Sequence, residues 1–181
     1  MIYCFLASGF EEIEAVAAVD TVRRGELEVK TVGIGGKVVT GSHGISVVAD
    51  IDESELHDIS DLTGVILPGG LPGTLNLGKS EIVKHCLRYA NDNGKLLAAI
   101  CAAPSVLGQE GYLQGKQAVC YDGFEELLSG ATIGEDRTCV SGNIITAVGA
   151  GAAIEFGVEI IKYFKGSDQA EAVRKSMKCK E

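Results

Sequence analysis

Short apolar segments alternate along this chain with longer amphipathic segments, and this alternation limits the folds that the chain can adopt. The apolar segments are far shorter than the ~20 residues needed to span a bilayer. Their length is typical of strands that are buried on both faces of a parallel sheet. The segments are Ile2–Ala7, Val29–Ile34, Val65–Leu67, Leu96–Ile100 and Ile144–Val148.

Helical periodicity marks the segments between these runs, and a polar segment of the same kind follows the last one. Strands that alternate with helices predict right-handed βαβ units and an α/β fold, a three-layer sandwich around a mostly parallel sheet. The amphipathic segments are Glu12–Arg24, Ser80–Asn93, Ala152–Tyr163 and Ser167–Lys178.

A small excursion interrupts this alternation after the second apolar run. Val38–Val39 and Ile45–Ala49 flank a glycine-containing turn, which predicts a hairpin. The acidic segment Ile51–Leu62 that follows is expected to lie on the surface. Because the chain has 181 residues and neither a repeat nor a linker, we expect one domain over residues 1–181.

The charge balance excludes some partners. Lys and Arg total 16 against 25 Asp and Glu, a net charge of −9, which disfavours nucleic acid and anionic membranes. No basic region precedes Ile2–Ala7, so this run is expected to be a first strand and not a signal peptide. We therefore expect a cytoplasmic protein with reduced thiols.

Cysteines outnumber histidines, six to three. No two cysteines have the C-x-x-C spacing of a zinc knuckle or a thioredoxin-type redox pair. We expect no metal site and no cofactor. The cysteines are Cys4, Cys86, Cys101, Cys120, Cys139 and Cys179.

Cys101 stands where an apolar run meets the start of a helix, which Pro104 favours from about Ala103 onward. Small neighbours, Ala99 and Ala103, are what a tight nucleophile elbow requires. A helix N-terminus also stabilises a thiolate. The alternative is a small buried hydrophobic residue, the usual environment of a free cysteine, and these residues alone leave both interpretations open.

Glu14 is the polar residue within the apolar run Ile13–Val19 of the first predicted helix. A carboxyl there can be buried and protonated, and can then donate a hydrogen bond to an anion. The alternative, a solvated glutamate on a helix edge, is favoured by ordinary burial preferences.

Glycine pairs follow two of the predicted strands. Pro68-Gly69-Gly70 ends one strand and Gly149-Ala150-Gly151 ends another. Paired glycines can turn backbone N–H groups toward an anion, and the carboxyl ends of parallel strands form the ligand crevice of α/β sheets. The alternative is a flexible turn.

Four segments occur in the order and at the spacing of the ThiJ/PfpI superfamily, so the chain resembles this superfamily. Within it, the chain resembles the parkinsonism-associated deglycase branch. The resemblance covers essentially the full length. The segments are Gly9-Phe10-Glu11-Glu12-Ile13-Glu14, Val19-Asp20 with Val22-Arg23-Arg24, Leu67-Pro68-Gly69-Gly70, and Ala98-Ala99-Ile100-Cys101-Ala102-Ala103-Pro104.

This resemblance implies a flavodoxin-like fold, related to class I glutamine amidotransferase domains, and a homodimer. It implies that Cys101 is an oxidation-sensitive nucleophile and that Glu14 is a protonated carboxyl bonded to its thiolate. It also implies that the N–H groups of Gly70 and Ala102 form an oxyanion hole, with Gly69 and Gly149 at the pocket.

The chain departs from the family pattern where many relatives carry a histidine after the elbow. The stretch here is Val119-Cys120-Tyr121-Asp122, so a Cys–His dyad is doubtful. Cys120 is either a resolving thiol for an oxidised Cys101 or a buried neighbour. His43 stands where relatives often carry a basic residue that approaches the pocket across the dimer interface, whereas His57 and His85 are expected to be solvated.

A phosphate-loop pattern, G-x-x-x-x-G-K-S, spans Gly73–Ser80. A genuine phosphate loop joins its strand directly to its helix, but Pro68–Pro72 intervene here. We therefore expect no nucleotide site.

The resemblance implies a cysteine-dependent stress-response protein acting on small reactive carbonyls or their protein adducts, of the glyoxalase or deglycase type. One alternative is a non-catalytic redox sensor or chaperone-like dimer. A PfpI-type peptidase is disfavoured by the missing histidine, and nothing in the sequence favours the older label of thiamine biosynthesis.

Overall fold

A computed structural model of the chain describes residues 1–179. Seven of its strands form one central sheet, and four form two small two-stranded sheets. In chain order the strands are β1 (Ile2–Leu6), β2 (Val29–Gly33), β3 (Val38–Thr40), β4 (Ser46–Val48), β5 (Ile51–Asp52), β6 (Gly64–Leu67), β7 (Leu96–Ile100), β8 (Gln117–Ala118), β9 (Thr132–Ile133), β10 (Thr138–Ser141) and β11 (Ile144–Ala147).

The central sheet has the strand order β10-β11-β7-β6-β1-β2-β5. Every neighbouring pair is parallel except β10 and β11, which form an antiparallel edge. Strand β1 lies inside the sheet, where Ile2 is opposite Val29 on one side and Gly64 on the other. The mostly parallel sheet predicted from the apolar runs is confirmed.

Helices cover both faces of this sheet. Alternate residues of a strand point to opposite faces, so Cys4 and Leu6 pack with α1 and α5, whereas Phe5 packs with α3 and α4. The three-layer α/β architecture is therefore also confirmed. The helices are α1 (Glu12–Arg24), α2 (Gly73–Lys79), α3 (Glu81–Asp92), α4 (Pro104–Gln109), α5 (Ala153–Lys165) and α6 (Ser167–Ser176).

The predicted hairpin is present, since β3 and β4 pair antiparallel with Val39 opposite Val47. The acidic segment after it is not simply a surface segment, which corrects the prediction for Ile51–Leu62. Its first two residues form β5 at the edge of the sheet, and Leu56, Ile59 and Leu62 are buried. The acidic side chains obscured this apolar spacing in the sequence.

No helix within residues 1–179 combines the length and apolar character that crossing a bilayer requires. The longest, α1 and α5, have 13 residues each.

Candidate active site

Cys101 occupies the short turn between β7 and α4, at the carboxyl end of the sheet. Its backbone φ of 65° lies in the left-handed region, which costs a non-glycine residue ~1–2 kcal/mol. The surrounding backbone holds it there: its N–H donates to the Ala147 carbonyl at 2.9 Å, and its carbonyl accepts the Tyr121 N–H at 2.8 Å. The side chain is half-buried. A strained backbone fixed on both sides is a recurrent feature of functional sites.

The backbone N–H groups of Ala102 and Gly70 act on the Cys101 sulfur, and both lower the pKa of its thiol. Gly70 follows β6 with a φ of 86°, and a Cβ at this position would collide with the backbone nitrogen of Glu11. A Cβ on Gly69 would lie only 2.7 Å from the Cβ of Cys101. A side chain at either position would therefore displace the backbone around Cys101.

Glu14 projects from the first turn of α1 into the same place and is only 1% exposed. Its Oε2 accepts the Gly69 N–H at 2.8 Å. Its Oε1 is buried and makes no hydrogen bond of standard geometry with any residue among 1–179. Burial raises the pKa of Glu14 to about 7, although the Gly69 N–H and the adjacent Cys101 thiol oppose the shift. Glu14 is therefore not the solvated glutamate on a helix edge that ordinary burial preferences favour.

The Cys101 thiol and the Glu14 carboxyl influence each other. Burial raises the pKa of Cys101, the charge of an ionised Glu14 raises it further, and the Ala102 and Gly70 N–H groups lower it. A carboxylate and a thiolate that are neighbours repel one another. The pair therefore retains one proton near neutral pH.

A cavity of about 360 Å³ lies near this pair, although neither Cys101 nor Glu14 lines it. It is lined by Tyr121, Asp122, Arg137 and the backbone of residues 148–152. Gly149 connects the cavity to the carboxyl, since a Cβ on Gly149 would lie 3.4 Å from the Tyr121 ring and 4.0 Å from Glu14 Oε1. Gly149 therefore lies between the cavity and the buried carboxyl oxygen.

Comparison with known proteins identifies the family. The profile of the DJ-1/PfpI family matches residues 1–163. The chain belongs to the DJ-1/PfpI family. The predicted superfamily membership is confirmed.

Relatives at substantial identity support the assignment. DJ-1 homolog A of Arabidopsis thaliana is 38% identical over 93% of this chain, and protein dj-1beta of Drosophila melanogaster is 36% identical over 95% of it. The match covers 93% of the Drosophila protein but only 44% of the Arabidopsis one, so the chain spans less than half of that relative. A Caenorhabditis elegans relative named glutathione-independent glyoxalase DJR-1.2 is 29% identical, with 92% of this chain and 89% of that protein covered.

The oxidized DJ-1 of Toxoplasma gondii has a closely similar structure, with a TM-score of 0.93 and 35% sequence identity. The match covers 97% of this chain and 96% of that chain. The flavodoxin-like fold that the resemblance implied is confirmed by this likeness.

Two further residues expected at the DJ-1/PfpI pocket, Cys120 and His43, have other neighbours. Cys120 is buried, which raises its pKa to about 11, and the charged groups nearest to it are Glu125 and Asp122. The ring of His43 contacts the carboxylates of Glu11 and Glu12 and is 70% exposed. Within residues 1–179, neither residue forms a hydrogen bond or ion pair with the Cys101 or Glu14 side chain. Their roles at the pocket remain predictions.

The phosphate-loop pattern does not form a loop. Helix α2 begins at Gly73, the first residue of the pattern, and ends at Lys79. The N–H groups at its start are occupied, with Gly73 donating to Gly9 and Thr74 donating to Gly70. Two of the N–H groups that a phosphate loop would turn toward its ligand are thus occupied within the fold. The absence of a nucleotide site stays a prediction.

Tyr121 and Arg137 line the cavity, and sequence reasoning singled out neither. Tyr121 follows Cys120 in a loop, and Arg137 lies in the loop before β10. Loop residues carry no periodicity that would indicate where their side chains point, so only the structure brings them to the site.

Proposed function

We propose that this DJ-1/PfpI protein is a cofactor-independent, cysteine-dependent stress-response enzyme that acts on small reactive carbonyls or their protein adducts. The observation that carries the proposal is the half-buried Cys101 thiol, held on a left-handed backbone beside the buried Glu14 carboxyl, where the Gly70 and Ala102 N–H groups lower its pKa. The glyoxalase name of the C. elegans relative supports the substrate class.

The first step is attack on an aldehyde carbon. The thiol proton passes to the Glu14 carboxylate as the sulfur forms its bond to the carbonyl carbon, and the carbonyl π electrons move onto oxygen. A base with a pKa of about 7 is suited to this transfer at neutral pH. The Gly70 and Ala102 N–H groups then stabilise the oxyanion, a contribution of ~3–4 kcal/mol in acyl-transfer enzymes.

The second step converts the adduct of a 2-oxoaldehyde to a thioester. Glu14 donates its proton to the oxyanion, which gives a hemithioacetal. The Glu14 carboxylate then removes the hydrogen of the former aldehyde carbon as a proton, and the C–H electrons form an enediolate with the neighbouring carbonyl. Glu14 returns this proton to the neighbouring carbon, and the proton of the first hydroxyl passes to the second oxygen as the first carbon becomes the thioester carbonyl. Water hydrolyses the thioester, releasing a 2-hydroxy acid and restoring the thiol. Since no histidine pairs with Cys101 within residues 1–179, Glu14 is the acid and base throughout, which predicts slow turnover and disfavours a peptidase.

We also propose a homodimer. The outer faces of α1 and of the β3–β4 hairpin expose several apolar side chains that a monomer would leave in water. The most exposed is Val48, at 72%. The others are Ile13, Val16, Val38 and Ile45. The cytoplasm is the proposed location, because all six cysteines are free thiols.

Conversion of methylglyoxal to lactate by purified protein tests the enzymatic proposal. Wild type should turn over, Cys101→Ser should fall to background, and Glu14→Gln should lose ~10²–10⁴-fold in rate. Cys179→Ser removes a thiol far along the chain and should retain full activity.

The alternative of a redox-sensing protein makes a different prediction. If no Cys101-dependent turnover occurs, but mild peroxide oxidises Cys101 selectively in peptide mass spectra, the enzymatic proposal is wrong and the redox role is favoured. The Cys120→Ser variant then tests the resolving thiol. A Cys101–Cys120 disulfide requires both cysteines, so it should form in oxidised wild type and be absent from this variant.

A further inference from the structure

Four polar atoms converge where the hairpin turn meets the start of α1. The Nδ1 of His43 lies 3.1 Å from Glu12 Oε2 and 3.3 Å from Glu11 Oε2. The Ser42 hydroxyl lies 3.1 Å from the same Nδ1, 3.2 Å from Glu11 Oε2 and 3.3 Å from Glu12 Oε2. Two carboxylate oxygens, an imidazole nitrogen and a hydroxyl therefore surround one point.

These separations are close to those between ligands of one small metal ion. Zinc binds nitrogen and oxygen ligands at ~2.0–2.2 Å in tetrahedral geometry, which places the ligands ~3.3–3.6 Å apart. The observed distances between His43 Nδ1 and the two carboxylates are 3.1 and 3.3 Å. The cluster would have to expand by only a few tenths of an ångström to admit an ion.

The two carboxylates are also held in the orientation that ligation requires. The other oxygen of Glu12, Oε1, accepts the backbone N–H groups of His43 at 2.8 Å and Ile45 at 3.2 Å. The other oxygen of Glu11 faces the Ile13 N–H at the helix N-terminus, at 3.5 Å. Each carboxylate thus has one oxygen directed to the backbone and the other directed into the cluster. Hydrogen bonds of this kind orient the ligands of known metal sites.

The charge balance of the cluster calls for a cation. Glu12 is buried, and Glu11 is largely so. Within residues 1–179, neither carboxylate forms an ion pair with a lysine or arginine, and His43 is the basic side chain that both of them face. A divalent metal ion with a neutral imidazole would balance the two negative charges, whereas a protonated imidazole alone would leave one of them uncompensated.

We propose that Glu11, Glu12 and His43 form a site for a divalent transition-metal ion of the zinc type, with the Ser42 hydroxyl or water as fourth ligand. Carboxylates combined with imidazole suit zinc better than calcium or magnesium, which prefer all-oxygen sites. The ion would join the hairpin to α1. This site is independent of Cys101 turnover and revises the expectation of no metal, which rested on histidine number and Cys-x-x-Cys spacing.

Calorimetric titration of the full chain with Zn²⁺ alone tests the proposal. Wild type and Cys101→Ser should bind one ion per chain, and His43→Arg should weaken binding at least ~10-fold. Arginine cannot ligate the ion but keeps a positive charge against both carboxylates, so the fold should be retained. His57→Arg, the same change at another exposed histidine, should bind like wild type.

Two further measurements separate this site from the thiols. Co²⁺ bound in place of Zn²⁺ should show no thiolate-to-metal charge-transfer band, and Zn²⁺ should raise the melting temperature of wild type but not of Glu11→Gln. Binding that survives in His43→Arg, disappears in Cys101→Ser or shows a thiolate band would overturn the proposal. Equal loss in His57→Arg would overturn it as well.

Discussion

Cys101 and Glu14 each occupy a position that is unfavourable for the residue alone. The cysteine has a left-handed backbone, and the glutamate is buried with one oxygen unbonded. Each is held by neighbours: Ala147 and Tyr121 fix the cysteine backbone, and the Gly69 N–H fixes the carboxyl. Functional sites commonly hold such strained or desolvated groups, because the rest of the fold stabilises them.

The strain at Cys101 predicts an unusual stability order. Cys101→Gly should be more stable than Cys101→Ala by ~0.5–1 kcal/mol, because glycine adopts a positive φ freely and this gain exceeds its extra entropy in the unfolded chain. Urea denaturation of the two variants, both of which lack the thiol, measures the difference. An alanine variant of equal or greater stability would show that the backbone there is not strained.

The buried Glu14 carboxyl predicts a pH dependence of stability. Its pKa is raised from 4.5 to about 7, so the protonated form is favoured in the folded state. Its contribution is fully present below pH 4.5 and is lost as the pH rises through 7. Between pH 5 and pH 8 the free energy of unfolding of wild type should therefore fall by ~2–3 kcal/mol relative to Glu14→Gln.

This comparison is made by urea denaturation with a chelator present, so that metal binding does not contribute. A difference between the two proteins that stays constant from pH 5 to pH 8 would mean that Glu14 does not titrate in this range.

At the scale of elements, the sequence predicted most clearly the strands that are buried along their whole length. Strands β1, β7 and β11 read as uninterrupted apolar runs because both faces are covered by helices. Helix α2 was not predicted, since its segment contains two glycines and stands in a loop-like context. It forms because Thr74 and Leu77 are buried against the sheet, a contact that no local pattern reveals.

Strands β5, β8 and β9 have two residues each, too few to show periodicity, and β10, which has four, also went unpredicted. The two-residue strands exist only through pairing with strands well separated along the chain, so they could not be read from the sequence. Strand β10 instead pairs with the adjacent β11 across Gly142 and Asn143, a short hairpin that was missed.

The contact between α1 and α5 predicts opposite effects for two similar substitutions. Gly157 lies in α5, where a Cβ would approach Thr21 of α1 to 2.7 Å. Gly157→Ala should destabilise the protein by ~1–3 kcal/mol through overpacking, despite the better helix propensity of alanine. Gly78 lies in α2 with its nearest neighbour, Val106, at 3.6 Å, so Gly78→Ala should be neutral or stabilising by up to ~1 kcal/mol.

Thermal and chemical denaturation of the two glycine variants provide the test. If Gly157→Ala proved as stable as Gly78→Ala, the close approach of α1 and α5 would be incorrect.

At the scale of the whole molecule, the site is assembled from segments far apart in the chain. Glu14, Gly70 and Cys101 were identified from local sequence features and from the family resemblance. Arg137 and Tyr121, which line the adjoining cavity, had no signal in the sequence. The approach of His43 to Glu12 was also hidden, because a turn and a helix about thirty residues apart are joined only by the fold.

The exposed apolar surface on α1 and the hairpin predicts dimerisation through that surface. Wild type should sediment as a dimer, and Val48→Asp should shift it to monomer because a charge would be desolvated in the interface. Val140 on β10, also exposed at 49%, lies outside this surface, so Val140→Asp should remain dimeric. Analytical ultracentrifugation would contradict the proposal if wild type were monomeric, or if only the Val140 variant dissociated.

The central claim is that Glu14 accepts the proton of Cys101, and the pH dependence of Cys101 alkylation tests it most directly. Peptide mass spectrometry separates this thiol from the other cysteines. In wild type the alkylation rate should rise with an inflection near 7, the pKa of Glu14. In Glu14→Gln the base is absent, so alkylation should follow the ionisation of the thiol itself, whose pKa burial keeps well above 7 even without the Glu14 charge. The inflection should therefore move upward by more than one pH unit, and alkylation at pH 7 should slow. Faster alkylation of Glu14→Gln at pH 7 would contradict the account, because Glu14 would then be only a negative charge opposing the thiolate.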